Sequence, residues 1–154
     1  KYNGEIICGD SRQFFCGMEI GTAAPSENDR KNVEHHGFME LKLTEKFDAS
    51  RFIDFALKAI LKVQSRNKRP IIVGGTGLYF RSLRYGLRDV PPSDPLIREQ
   101  LEKRCLELGA KNLFDELFLI DEASANSIGE NDGVRLIRAL EIFHLTKRKP
   151  SELR

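Results

Sequence analysis

Two short polar stretches follow short apolar runs and hold the side chains best able to do chemistry. Asp10, Ser11, Arg12 and Gln13 come after Ile6-Ile7-Cys8 and Gly9, and Gly74-Gly75-Thr76-Gly77 comes after Pro70-Ile71-Ile72-Val73. A carboxylate such as Asp10 can take a proton from a bound nucleophile. The Gln13 amide offers the paired donor and acceptor that suit a base edge, and a Thr76 hydroxyl beside glycine N–H groups suits an oxygen-rich ligand. Each motif also has a plainer reading. Asp10-Ser11 can cap a helix, and Gly74-Gly75 can form a tight turn that needs positive φ. Neither motif is specific alone; their joint placement is the stronger signal.

That placement comes from the elements around them. The two apolar runs read as parallel strands, and between them Phe52, Ala56, Ala59, Ile60 and Val63 recur at helical spacing with Ser50 as the expected N-cap. Strand, helix and strand make a βαβ unit with a right-handed crossover. In such sheets ligands gather outside the carboxyl ends of the strands, so one crevice is expected to be lined by both motifs. After Pro91-Pro92-Ser93-Asp94-Pro95 the pattern is only helical: Ile97, Leu101 and Leu108, then Leu113, Leu117 and Ile120, then Val134, Ile137, Leu140 and Ile142 with Asn131 or Asp132 as cap.

Arg135 and Arg138 lie three apart on the last of these helices and share a face. Spacing alone leaves two readings even: a grip on phosphates, or pairing with Glu141 and neighbouring acids. His35-His36 lacks a metal-binding helical interval, and His144 near a helix end is accounted for by the helix dipole, so no metal ligands are assigned. The three cysteines, Cys8, Cys16 and Cys105, form no C-x-x-C pair and read as free thiols.

The chain has 154 residues, with 40% hydrophobic and 31% charged residues, which suits a globular fold rather than a disordered one. A net charge of +2 does not by itself indicate a nucleic-acid partner, although Arg66, Lys68 and Arg69, or Lys147, Arg148 and Lys149, can meet phosphates. No apolar run reaches the roughly 20 residues of a membrane span, and no signal-like opening is present; a cytoplasmic protein is expected. The chain opens on Lys1-Tyr2-Asn3 and reads as an excerpt from a longer protein. No G-x-x-x-x-G-K-[ST] motif occurs in it.

Four collinear segments together resemble the tRNA dimethylallyltransferase family, also called tRNA isopentenyltransferase: GEIICGDSRQFFCGMEIGTAAPS, PIIVGGTGLYFRSL, PPSDPLIREQLE and NDGVRLIRALEIFHLT. The resemblance implies an α/β fold with a P-loop NTPase-like parallel sheet core and a helical inserted lobe. Residues 1–90 would be part of the catalytic core, 91–130 the insertion, and 131–154 a helix returning to the core. It implies transfer of a dimethylallyl group from dimethylallyl diphosphate to the exocyclic amine of the adenosine beside the anticodon in tRNA, with Mg2+. Asp10 would be the general base. Ser11, Arg12 and Gln13 would hold the base and its backbone. Thr76 and Arg98 would contact tRNA, as would the element Val134, Arg135, Leu136, Ile137 and Arg138.

The chain departs from the family pattern at Phe15 (usually Tyr), Glu19 (usually Asp), Ala24 (usually Lys) and Lys147 (commonly Gly). The family's phosphate-binding loop lies outside these residues, so this stretch alone is expected to be inactive. A monomer that works on the tRNA anticodon stem-loop is expected. Three other readings stand beside it: an adenylate isopentenyltransferase acting on free adenine nucleotides, a small-molecule P-loop kinase, and a non-catalytic RNA-binding module.

Overall fold

A computed structural model describes residues 2–87 and 90–153. The chain divides into two compact units, one ending at Leu87 and the other following it. Residues 88 and 89, beside the expected boundary at 90, lie outside the described residues.

The first unit is α/β. Its strands are β1 (Gly4–Cys8), β2 (His35–His36) and β3 (Arg69–Val73), all parallel in the order β2-β1-β3. The β1–β3 register runs from Gly4 opposite Arg69 to Cys8 opposite Val73, so both strands end at the same level. That register puts the two polar motifs side by side. Between β1 and β2 lie the short helices α1 (Glu19–Thr22) and α2 (Glu27–Asn32), and α3 (Ala49–Gln64) joins β2 to β3.

Helix α3 buries Phe52, Ala56, Ala59 and Val63, the stripe expected from the 3.6-residue period. Its cap is Asp48 rather than Ser50: the Asp48 carboxylate accepts from the Ser50 and Arg51 backbone N–H groups, both at 3.0 Å. A carboxylate two residues earlier reaches the free N–H groups of the first turn, which places Ser50 inside the helix.

An aromatic cluster seats the segment after β1. Phe14 is 1% exposed and lies 4.2 Å from the Phe47 ring, while Phe52 stacks on Tyr79, also at 4.2 Å. Burying each such ring stabilises the fold by roughly 2–3 kcal/mol. Backbone pairing fixes the same segment, with Met39 N donating to Gln13 O and Cys16 N to Leu41 O. The residues after Asp10 are therefore anchored on both sides of the chain. Helix α4 (Gly77–Tyr85) leaves directly from the second motif.

The second unit is helical: α5 (Pro95–Leu108), α6 (Ala110–Ile120), α7 (Glu122–Ile128), α8 (Gly133–Thr146) and a 3₁₀ turn, Pro150–Glu152. Leu101, Leu113, Leu117, Ala125, Leu136, Ile137, Ala139 and Leu140 form its core. Helix α8 supplies Leu136, Ile137, Ala139 and Leu140 to this core. Asp132 caps α8 by accepting from Arg135 N at 3.1 Å, one of the two expected caps. Lys147 ends α8 with φ 58°, the left-handed conformation that glycine adopts at least cost.

Among the described residues no helix is long and apolar enough to cross a membrane.

Candidate active site

The two strand-end loops interlock through main-chain groups. Gly9 N donates to Val73 O at 2.7 Å and Thr76 N to Gly9 O at 3.3 Å. Ser11 N donates to Thr76 Oγ1 at 2.8 Å. A Cβ on Gly74 would lie 2.2 Å from the Gly9 carbonyl carbon and 2.4 Å from Asp10 N, so no larger residue fits there. This corrects the expected reason for the glycine pair. Neither Gly74 nor Gly75 has positive φ; close approach of two backbones is what demands glycine.

Asp10 sits at the centre of this crossing. Its Oδ1 accepts from Arg12 N at 2.9 Å and its Oδ2 from Gly75 N at 3.2 Å. Two main-chain donors fix the orientation of the carboxylate and leave each oxygen a second lone pair to receive a proton. Asp10 and Ser11 are half-buried and Arg12 is exposed, so the carboxylate lies at a mouth and not in the core. Cys8 lies beneath it, its thiol donating to Asp10 O; burial pushes that thiol up to about 12, which makes it inert.

Gln13 is committed differently from its expected role. Its amide Nε2 donates to Thr22 O at 2.8 Å and Ala23 O at 3.3 Å, and so fixes the end of α1, where Ala23 takes φ 51°. Reading a base edge with both halves of that amide would require those bonds to open.

The second unit brings together another set of predicted residues. Glu141 is fully buried, and its carboxylate accepts from Ser93 Oγ at 2.5 Å, Asp94 N at 2.8 Å and Arg138 at 2.6 Å. Arg138 also donates to Pro91 O at 2.6 Å, so the guanidinium and Glu141 together hold the segment leading into α5. Burial alone would raise the Glu141 carboxyl, but the bonds from Ser93, Arg138 and Asp94 outweigh it and hold it below the usual range. Arg138 thus pairs with Glu141, one of the acids named for the arginine pair. Arg135, 72% exposed, sits 3.4 Å from Asp132, and Arg98 donates to Glu102 at 2.8 Å.

Within the element 134–138, Leu136 and Ile137 point into the core, at 0% and 6% exposure. Their side chains are therefore packing groups, while Val134 and Arg135 are exposed and Arg138 is half-buried. The helical period explains this, because 136, 137 and 140 face inward together.

Sequence reasoning missed Gly75 as a donor to Asp10, Glu141 as a hub, and Glu5. Glu5 is fully buried near the start of β1, where Lys68 at 2.9 Å, His36 at 2.7 Å and Arg66 at 3.2 Å surround its carboxylate. An acid inside an apolar strand run was the available signal. Glu5, Glu34 and His36 come close enough to suggest a metal cluster. Lys68 and Arg66 already satisfy Glu5, however, and Mg2+ prefers a shell of oxygen ligands with bound water, so this donor set does not suit Mg2+.

The IPP transferase family model matches residues 13–154. The tRNA dimethylallyltransferase of Geobacter metallireducens is 43% identical over 148 residues, covering 96% of this chain and 48% of that protein. The full-length tRNA isopentenylpyrophosphate transferase of Bacillus halodurans superposes with TM-score 0.55 at 38% identity, over 97% of this chain and 49% of that one. A eukaryotic dimethylallyltransferase acting on tRNA gives TM-score 0.72 at 27% identity, over 98% of this chain and 38% of that one. The chain spans about half the length of the curated relatives it matches.

Proposed function

The chain belongs to the IPP transferase family, and from that premise we propose that it is part of an enzyme that transfers a dimethylallyl group to an adenosine amine in tRNA. The carrying observation is the Asp10 carboxylate, held by Gly75 and Arg12 N–H groups at the carboxyl end of β1.

In this reading Asp10 is the general base. An adenine amine is a poor nucleophile, so orientation against the allylic carbon supplies much of the acceleration. The amine nitrogen bonds to that carbon, the carbon–oxygen bond to diphosphate breaks, and the diphosphate leaves with the electron pair. Asp10 takes the amine proton. Extruding the base from its stack costs roughly a few kcal/mol, offset by contacts in the site. Exposed Arg12 is well placed to meet the nucleotide backbone. Arg98, Val134 and Arg135 are the proposed tRNA contacts of the second unit, with phosphate contacts that weaken as salt rises. Dimethylallyl diphosphate is the proposed donor. Mg2+ is its proposed companion and would neutralise charge on the departing diphosphate.

The test uses the full-length protein with dimethylallyl diphosphate, Mg2+ and tRNA, followed by the mass of the released nucleosides. One prenyl group gained on adenosine is expected, and Asp10→Asn is expected to lower kcat by about 100-fold or more with tRNA affinity little changed. A parallel reaction with AMP separates the nucleotide-prenylating reading: transfer to AMP but not to tRNA would replace this proposal. The isolated 154 residues are expected to transfer nothing.

A further inference from the structure

The resemblance casts Thr76 as a tRNA contact, yet its hydroxyl is already employed. Thr76 stands at the N-cap of α4, where a threonine oxygen ordinarily accepts from its own helix, and no such capping bond is made. The oxygen accepts from Ser11 N at 2.8 Å instead, across to the loop that carries Asp10. Next to it, Gly75 N donates to Asp10 Oδ2 at 3.2 Å, and Thr76 N donates to Gly9 O at 3.3 Å. Three consecutive bonds therefore run from the second loop to residues 9, 10 and 11 of the first.

We propose that Gly75 and Thr76 are positioning residues for the Asp10 carboxylate, acting on turnover through its orientation and not through tRNA binding. This rests on the prenyl-transfer reading above. Removing the Thr76 oxygen leaves the half-buried Ser11 N–H without a partner, which loosens the turn after Asp10. A side chain on Gly75 acts more directly. Its Cβ would lie 3.1 Å from Asp10 Oδ2, so the carboxylate must move by a few tenths of an ångström. Displacements of this order are costly where a base must meet one proton.

The experiment is a mutant cycle in the full-length protein, with tRNA, dimethylallyl diphosphate and Mg2+. Thr76→Val and Gly75→Ala are each expected to lower kcat about 10-fold, with KM for tRNA within about threefold of wild type. Thr76→Ser keeps the acceptor and should return kcat to within about threefold of wild type. In an Asp10→Asn background both substitutions should be nearly silent, because the group they orient no longer acts as a base. The inference is overturned if Thr76→Val raises KM with kcat intact, since that marks a tRNA contact. It is overturned equally if the effects multiply with Asp10→Asn, or if Thr76→Val fails to fold while Thr76→Ser folds, since the hydroxyl would then serve the fold alone. A wild-type protein that transfers no prenyl group sinks the underlying reading as well; an active wild type with multiplying effects sinks only this inference.

Discussion

Asp10 in the first unit and Glu141 in the second are held by opposite means. In the first, Asp10 is oriented by backbone N–H groups of Arg12 and Gly75 where two loops cross at glycines. In the second, buried carboxylates act as hubs: Glu141 collects Ser93, Asp94 and Arg138, and Asp121 collects Ser124 and the Ser151 backbone. Main-chain donors cannot change rotamer or protonation, so they hold a reacting group rigidly. Side-chain hubs join several elements at once but depend on every member. A base belongs with the first kind of support and a scaffold can use the second.

The largest test of this contrast is Gly74→Ala. A methyl group 2.2 Å from the Gly9 carbonyl carbon forces the loops apart, so a stability loss of about 3 kcal/mol or more is expected in urea unfolding. A loss under about 1 kcal/mol would show that the crossing is not tight. Next comes Glu141→Ala. Three donors lose their acceptor, but Arg138 is 30% exposed and can turn to water, so about 2 kcal/mol is expected. Glu141→Gln should recover part of this, and equal losses for the two variants would mean that charge alone matters.

Glu5 sharpens the comparison because it is a side-chain hub inside the first unit. Burial pushes its carboxyl up, but bonds from Lys68, His36 and Arg66 outweigh this and bring it from the ordinary 4.5 to about 2. Between those values the unfolded chain binds more protons than the folded one. The stability that Glu5 contributes is therefore complete above about pH 4.5 and lost as pH falls toward 2. Glu5→Gln should flatten the acid limb of a stability profile in that window, and an unchanged limb would remove Glu5 as its source. The smallest effect is a gain: Lys147→Gly relieves the φ 58° strain at the end of α8 and should add about 0.5–1 kcal/mol.

What could be read from the sequence follows the same division. Periodicity located α3, α5, α6 and α8, and the two apolar runs located β1 and β3, because long repeats and short runs between glycines are local signals. The two-residue strand β2 has no run to show, and α1, α2 and α7 are too short to build a period. Asp10, Ser11 and Thr76 were legible as neighbours because parallel strands end on one side of a sheet. Gly75's donation to Asp10 was not, since main-chain bonds leave no side-chain signature. On α8 the period marked Ile137 and Leu140 as inward-facing, but it missed buried Leu136 and included Val134, which is 70% exposed.

The Asp10–Gly75 and Ser11–Thr76 bonds each join residues 65 apart in the chain. The helical unit closes mostly local contacts and is expected to form early, whereas parallel strand pairing must first close a long loop. The proposed base therefore acquires its second orienting donor, Gly75 N, only when β3 docks beside β1. During synthesis, a chain that has emerged as far as α3 carries Asp10 with only the local Arg12 N–H to orient it. Time, as well as geometry, separates possession of the residue from possession of the site.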